Sequence, residues 1–288
     1  MSMVTSYICG CVKDCEPYLD GAFHNIELIT KMLDDYRIII AYDESSDNSL
    51  HKLHDIRSSF PEGKMTIIMG DINLSSIRTQ NIANARNQIL NSIREDKEDM
   101  FEYFIMMDMD DVCSGKMNKK HLKRVLKSGN DLPWDALTFN RAVYYDVWAL
   151  SIKPYTFSCW HYANHKQIYN NMLHHINEKI AEVAIHDSRN ALLPCISAFN
   201  GFGLYRTAKF ICSKYEWNVH ATLAIYPKSE IDIMSHHVGS QPIARHDDCE
   251  HRYFHIRASQ LNGARICISP VCLFIYWRSI RNYHHHVF

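Results

Sequence analysis

Phe104-Ile105-Met106-Met107-Asp108-Met109-Asp110-Asp111-Val112 is the stretch on which the fold turns: an apolar run that leads straight into three carboxylates. Strands covered on both faces of a parallel sheet are apolar throughout, and in open α/β sheets ligands bind beyond the carboxyl ends of such strands. Carboxylate oxygens are hard donors that suit Mg2+ or Mn2+, ions that keep positions free for substrate phosphates. An acidic turn with Asp111 capping the next element carries the same residues. The surrounding segments weigh between the two.

Outward from that stretch the pattern recurs. Ile38-Ile39-Ile40-Ala41-Tyr42-Asp43-Glu44-Ser45-Ser46-Asp47 is again an apolar strand ending in acids and hydroxyls, with Ser46 or Asp47 placed to cap a following helix. Acids at such a strand end accept hydrogen bonds from a base or ribose. Strands are expected at Val4–Cys11, Arg37–Tyr42, Met65–Met69, Tyr103–Met107 and Ala136–Asn140. A helix opened by Ser75 follows the third, with Ile82, Ala85, Ile89 and Ile93 on one face. Another spans Gln167–Val183, with Ile168, Met172, Ile176, Ile180 and Val183 in phase. Alternating strands and helices predict an α/β chain with a mostly parallel, Rossmann-like sheet flanked by helices, and a less regular second half. Phe199-Asn200-Gly201-Phe202-Gly203 reads as a turn-rich segment.

Bulk composition narrows the function. The 288 residues are 47% hydrophobic, and 31 basic residues against 32 acidic ones leave a net charge of −1. With no long run of Lys and Arg on one face, a grip on nucleic acid is not expected. The apolar run Val271–Trp277 falls well short of the roughly 18 residues a membrane helix needs, so no integral membrane segment is expected. Met1–Cys11 lacks the basic leader of a signal peptide, and the ten cysteines show no zinc-ligand spacing. Free thiols and a cytoplasmic location follow as expectations. The triplet His284-His285-His286 reads as a surface tail.

Arg78 and Arg86 lie eight residues apart on one helix, close to the same face, and a guanidinium grips phosphate in bidentate fashion. For Arg86 a buried pair with a strand-end acid is an equal alternative; Arg78 is the better candidate for a diphosphate. Tyr145, Trp148 and Trp160 offer flat faces to a sugar ring, although such residues also build cores. Asp247-Asp248-Cys249-Glu250 supplies acids for a general base.

Seven segments, in order, resemble the fungal capsule-associated α-1,3-mannosyltransferases and related glycosyltransferases of microbes and large DNA viruses. They are Cys9-Gly10-Cys11-Val12-Lys13-Asp14, the segment from Asp43, Arg78–Asn87, the Asp108 motif, Asp135–Asn140 with Tyr145–Leu150, Phe199–Tyr205, and Cys249–His255. The resemblance covers residues 4 to 257. It implies one GT-A domain over residues 1–288: a nucleotide-binding half at 1–112, an acceptor-side half at 113–265, and a C-terminal strand and tail at 266–288. It also implies a metal-dependent glycosyltransferase with a GDP-sugar or UDP-sugar donor, Mn2+ or Mg2+ as cofactor, and a glycan or protein acceptor. If the viral relatives are the nearer, the host cytoplasm is the setting. By it, Asp108, Asp110 and Asp111 hold the metal with His251 as a further ligand, Glu250 or Asp248 orienting that histidine. Cys9, Asp43, Glu44, Arg78, Arg86, Asn87, Asp108 and Met109 surround the donor; Asn140, Asp146, Trp148, Asn200 and Gly201 face the acceptor. Asp248 and Glu250 are the candidate catalytic acids if configuration inverts, whereas the capsule family retains it. Where that family has Glu-Asn-Asp at the second strand end, this chain has Asp43-Glu44-Ser45. Competing readings are a Mg2+-dependent phosphohydrolase or nuclease and a silent nucleotide- or glycan-binding protein.

Overall fold

The computed structural model describes residues 3–70, 75–96, 100–128, 132–186, 191–243 and 247–275. His284–His286, Trp277 and Arg245 fall outside them. The elements run β1 (Thr5–Val12), α1 (Glu16–Thr30), β2 (Asp35–Tyr42), α2 (Ser49–Ser58), β3 (Met65–Met69), α3 (Arg78–Glu95) and β4 (Tyr103–Asp108). Next come α4 (Asp111–Ser114), β5 (Lys116–Met117), α5 (Lys119–Lys127), β6 (Ala136–Asn140) and α6 (His165–His186). The remainder is β7 (Leu193–Cys195), β8 (Phe202–Arg206), α7 (Thr207–Phe210), α8 (Val219–Ile225), α9 (Lys228–Val238), α10 (Glu250–Asn262), β9 (Ile266–Cys272) and β10 (Phe274–Ile275).

Eight strands form one sheet in the order β3-β2-β1-β4-β8-β6-β9-β7, with β5 and β10 paired apart from it. The first four are parallel, as is β6 with β9, while β8 and β7 run antiparallel to their neighbours. Alternation decides which core each side chain joins. Ile8, Ile38, Ile40, Ile105 and Met107 enter the core beneath α1 and α5, whereas Tyr7, Cys9, Ile39, Ala41, Phe104 and Met106 enter the opposite one beneath α3 and α10. A third core lies between α6, α8, α9 and α10.

Because α1 packs on one face and α3 on the other, the strand order reverses between β1 and β4. Cys11 sits opposite both Ala41 and Asp108 in register, so three strands finish at the same sheet edge. A crevice at such a switch point is where open α/β sheets bind ligands.

Several local expectations need correction. The helix after β3 opens at Arg78, not at Ser75. The Ser75 hydroxyl instead accepts from the Ile77 amide at 3.1 Å, and the Asn81 side chain folds back on the Ser75 backbone. A local side-chain bond therefore competes with the helix for this residue. The turn-rich segment after Phe199 runs into β8, a central strand of the sheet, which its glycines disguise. A short basic face does occur, on the nine residues of α5.

Candidate active site

The first wall of the crevice is a mutual lock between the ends of β1 and β2. Asp14 accepts from the Ser46 amide at 2.6 Å and hydroxyl at 2.9 Å, while Asp47 accepts from the Glu16 amide at 2.9 Å and the Ser49 amide at 3.0 Å. Asp47, not Ser46, thus serves the start of α2, and it serves α1 as well. Carboxylates at two helix starts also meet favourable dipoles. Asp43 stands half-buried at the rim with its pKa raised by burial, Lys13 opposing, and Glu44 is exposed beside it.

Asp108 ends β4 with both oxygens engaged. Oδ1 accepts from Arg86 Nη2 at 3.1 Å and Oδ2 accepts from the Tyr145 hydroxyl at 2.9 Å. Met109 turns inward, 1% exposed, into the space above Gly10: a Cβ on Gly10 would lie 2.5 Å from its sulfur. Only backbone at Met109 is left to meet a donor. Asp110 caps α4 by accepting from the Val112 amide at 3.0 Å. Burial first, then the Asp108 charge, pushes its pKa up to about 7, and Asp111 beside it is exposed.

Opposite stands the turn Asn200-Gly201, both residues left-handed with φ of 56° and 84°, closed by the Phe202 amide donating to the Phe199 carbonyl at 3.4 Å. Its bonds tie it to the acids: the Asp108 amide donates to the Gly201 carbonyl at 2.9 Å, and the Asn200 side chain bonds the Tyr145 amide, the Asp146 amide and the Phe139 carbonyl. Arg141, buried, clasps the same turn, donating to the Asn200 carbonyl at 2.9 Å and the Val112 carbonyl at 2.7 Å. Asp146 accepts from the Ala149 and Asn200 amides, and burial, relieved by the Ala149 bond and reinforced by Asp108, raises its pKa to about 6. Asn140 is half-buried, its amide donating to the Pro270 carbonyl.

Arg86 is the hub. Its guanidinium bridges Asp108, Glu250 and His251 and lies over the rings of Phe199 and Tyr215, 4.7 and 5.7 Å from their centroids. Of the two roles open to it, the buried pair is the one observed, with strand-end Asp108 and with Glu250 at the start of α10. Arg78 is exposed at the start of α3, near enough that its charge favours ionised Glu250.

Several expected residues are placed elsewhere or otherwise committed. Cys9 is wholly buried beneath the sheet. Asn87 is spent on Tyr215, donating to its carbonyl at 2.9 Å and accepting from its amide at 2.8 Å. Trp148 packs half-buried against the second core, and its carbonyl receives a bond from Arg252. Asp248 is fully buried and clamped by Arg252 at 2.9 Å, which holds its pKa low against burial. Glu250 is 4% exposed and paired with Arg86. Neither acid presents a free carboxylate to an acceptor. Among the described residues no three His, Cys, Asp or Glu side chains converge on a cation position. His251 in particular does not join the acids, because Arg86 stands between them. Stacked on Phe199 at 3.8 Å, it is kept neutral by burial and by Arg86. Tyr145 and Arg141 are the residues sequence reading undervalued; no local pattern distinguishes them.

A divalent cation fits the acids but not the histidine. Asp108 and Asp110 are hard donors at one strand end; burial first, then the neighbouring Asp108 charge, raises the pKa of Asp110, and a cation would offset both.

The family model for glycosyl transferase family 2 matches residues 7–181. The chain belongs to that family. The match takes in β1 through β6 and most of α6, and so Asp43, Arg86, Asp108–Asp111 and Tyr145. Comparison with curated proteins finds no match. Among solved structures, TarS of S. aureus is 14% identical with a TM-score of 0.45, over 95% of this chain and 60% of that one. The mannosyltransferase PcManGT of Pyrobaculum calidifontis, solved with GDP-Man and Mn2+, is 10% identical with a TM-score of 0.47, over 97% of this chain and 58% of that one. The chain thus spans about 60% of TarS residues 1–349 and of PcManGT, and 36% of the longer TarS structure. No helix among the described residues is long and apolar enough to cross a membrane.

Proposed function

We propose that this family 2 glycosyltransferase moves a sugar from a GDP- or UDP-linked donor to a hydroxyl of a glycan or protein, with Mn2+ or Mg2+ held by Asp108 and Asp110. The observation that carries this reading is the position of the acids: Asp43 follows β2, and Asp108 and Asp110 close β4, on either side of β1 at one switch point, with the Asp108 amide bonded to the Asn200-Gly201 turn. In such a crevice Asp43 and Glu44 accept from base and ribose, and exposed Arg78 grips the diphosphate. The cation offsets the charge that develops on the leaving diphosphate. Tyr145 holds the Asp108 carboxylate in place, and Asp146 with Asn200 lines the acceptor side. The general base, where stereochemistry requires one, is neither Asp248 nor Glu250, since both are clamped. A two-metal phosphohydrolase needs a denser set of carboxylates than the described residues bring together.

Calorimetric titration with GDP, UDP and their sugars, each with Mn2+ and with EDTA, tests the reading. One nucleotide should bind tightly with Mn2+ and lose that affinity in EDTA. Asp110→Ala should abolish metal-supported turnover while the unfolding midpoint stays near that of the parent. Folded protein that binds none of the nucleotides would remove the proposal.

A further inference from the structure

Lys116 to Lys127 holds six basic residues, Lys116, Lys119, Lys120, Lys123, Arg124 and Lys127, and no acid, in a chain whose net charge is only −1. The fold sorts them onto one surface. Leu122, Val125 and Leu126 of α5 bury in the first core, and His121, also buried, bonds Ser269 at 2.9 Å. At about 100° of turn per residue, Lys119, Lys120, Lys123 and Lys127 then share an arc of about 100° on the opposite side. All four, and Lys116 on the adjoining β5, are exposed. None of the five forms an ion pair among the described residues. Arg124, the helix's one guanidinium, is half-buried and bonds His121 Nδ1 at 3.0 Å. Directly across the β5–β10 pair from Lys116 lies Ile275, a large apolar residue 50% exposed.

We infer that this face docks the protein on an anionic membrane surface. Five exposed ammonium groups, four on one arc of α5 and one on the adjoining β5, suit a sheet of headgroup charges, whose attraction grows with each lysine near the leaflet. Ile275 adds an apolar contact at headgroup depth. Nucleic acid fits the face less well, because its recognition draws on guanidinium forks and stacking aromatics, and the exposed cations here are all lysine. The face also lies near the crevice. Lys116 follows Asp111 by five residues, so their Cα atoms are within about 18 Å of each other. A docked molecule therefore holds the crevice close to the bilayer, where a lipid-borne hydroxyl is available. That last step rests on the glycosyltransferase reading; the docking itself does not.

Flotation of the full chain with vesicles separates the possibilities. Vesicles of phosphatidylcholine with about a third phosphatidylserine should carry the protein at low salt and release it as salt rises, since the attraction is screened. Pure phosphatidylcholine vesicles should not carry it. Replacing Lys119, Lys120, Lys123 and Lys127 together by Gln should lower the partition by up to roughly a thousandfold. The unfolding midpoint and the nucleotide affinity of that variant should remain those of the parent, which shows that fold and crevice are intact. Binding to single-stranded RNA without binding to anionic vesicles would overturn the proposal in favour of a nucleic acid. Binding to neither, or vesicle binding that survives the four substitutions, would overturn it outright.

Discussion

At Arg86 one guanidinium satisfies a buried carboxylate, a strand-end carboxylate and a histidine ring, so its removal reaches three neighbours at once. Truncating one member of a buried ion pair leaves the other uncompensated, which costs about 3–5 kcal/mol. Arg86→Ala should therefore lose about that much in urea unfolding, and adding Glu250→Gln should restore part of it by removing the stranded charge. Two losses that simply add would mean Arg86 and Glu250 do not work as a pair. Arg86→Lys keeps the charge but not the fork, and should fall between the parent and Arg86→Ala. Reading Arg86 from sequence alone could not choose between donor contact and buried pair, because its partners Asp108 and Glu250 are 22 and 164 residues away.

Two elements, β4 and β8, meet at the Asn200-Gly201 turn, and the turn is where backbone geometry governs the acids. Gly201 takes φ of 84°, and a Cβ there would stand 2.3 Å from Val112 Cγ1 and 3.0 Å from Arg141 Nη2. Gly63 has a similar φ of 77° with open space around it. Gly63→Ala should therefore cost only the left-handed backbone term, about 1–2 kcal/mol, and Gly201→Ala distinctly more. Since Val112 donates to Asp110 and Gly201 accepts from Asp108, Gly201→Ala should also weaken Mn2+ binding, whereas Gly63→Ala should not. Equal effects at the two glycines in unfolding and metal titration would contradict this. The strands β1 to β4 and β6 and the phase of α3 and α6 were legible because period and composition agree locally. The central strand β8 was not: Gly203 within it and the turn before it resemble a loop until the neighbouring strands supply its hydrogen bonds. The basic face of α5 was also legible, in the 116–127 run, but a whole-chain charge near zero conceals it.

Over the whole molecule, buried histidines make stability depend on pH. Burial lowers the pKa of His255 to about 3, with Arg252 adding to the effect, and that of His121 to about 4; His255 is held between Ser197 and Tyr205 at 2.9 and 3.2 Å. In the unfolded chain both titrate near about 6.5. Their folded values are depressed, so the stability linked to them is complete above about pH 6.5 and declines as pH falls toward 4, the unfolded state taking up the protons. Their share, about 3 kcal/mol lost between pH 6.5 and 5, is opposed by Asp110 and Asp146, whose raised values favour the folded state as pH falls, so it is read as the difference in urea unfolding between the parent and a variant with both histidines replaced by Gln. A difference that does not change over that range would show that the two rings are protonated in the folded protein. What the sequence by itself determined is the α/β pattern, the acidic strand ends and the order of segments that marks a glycosyltransferase, because strand periodicity and strand-end chemistry are local. Only the tertiary structure decided which charges are committed to one another: Asp248 to Arg252, Glu250 and Asp108 to Arg86, with His251 cut off from the acids. The Arg86 pairings join residues far apart in the chain, and even for Asp248 and Arg252, four residues apart, it is burial that sets the strength, which no local stretch of sequence records.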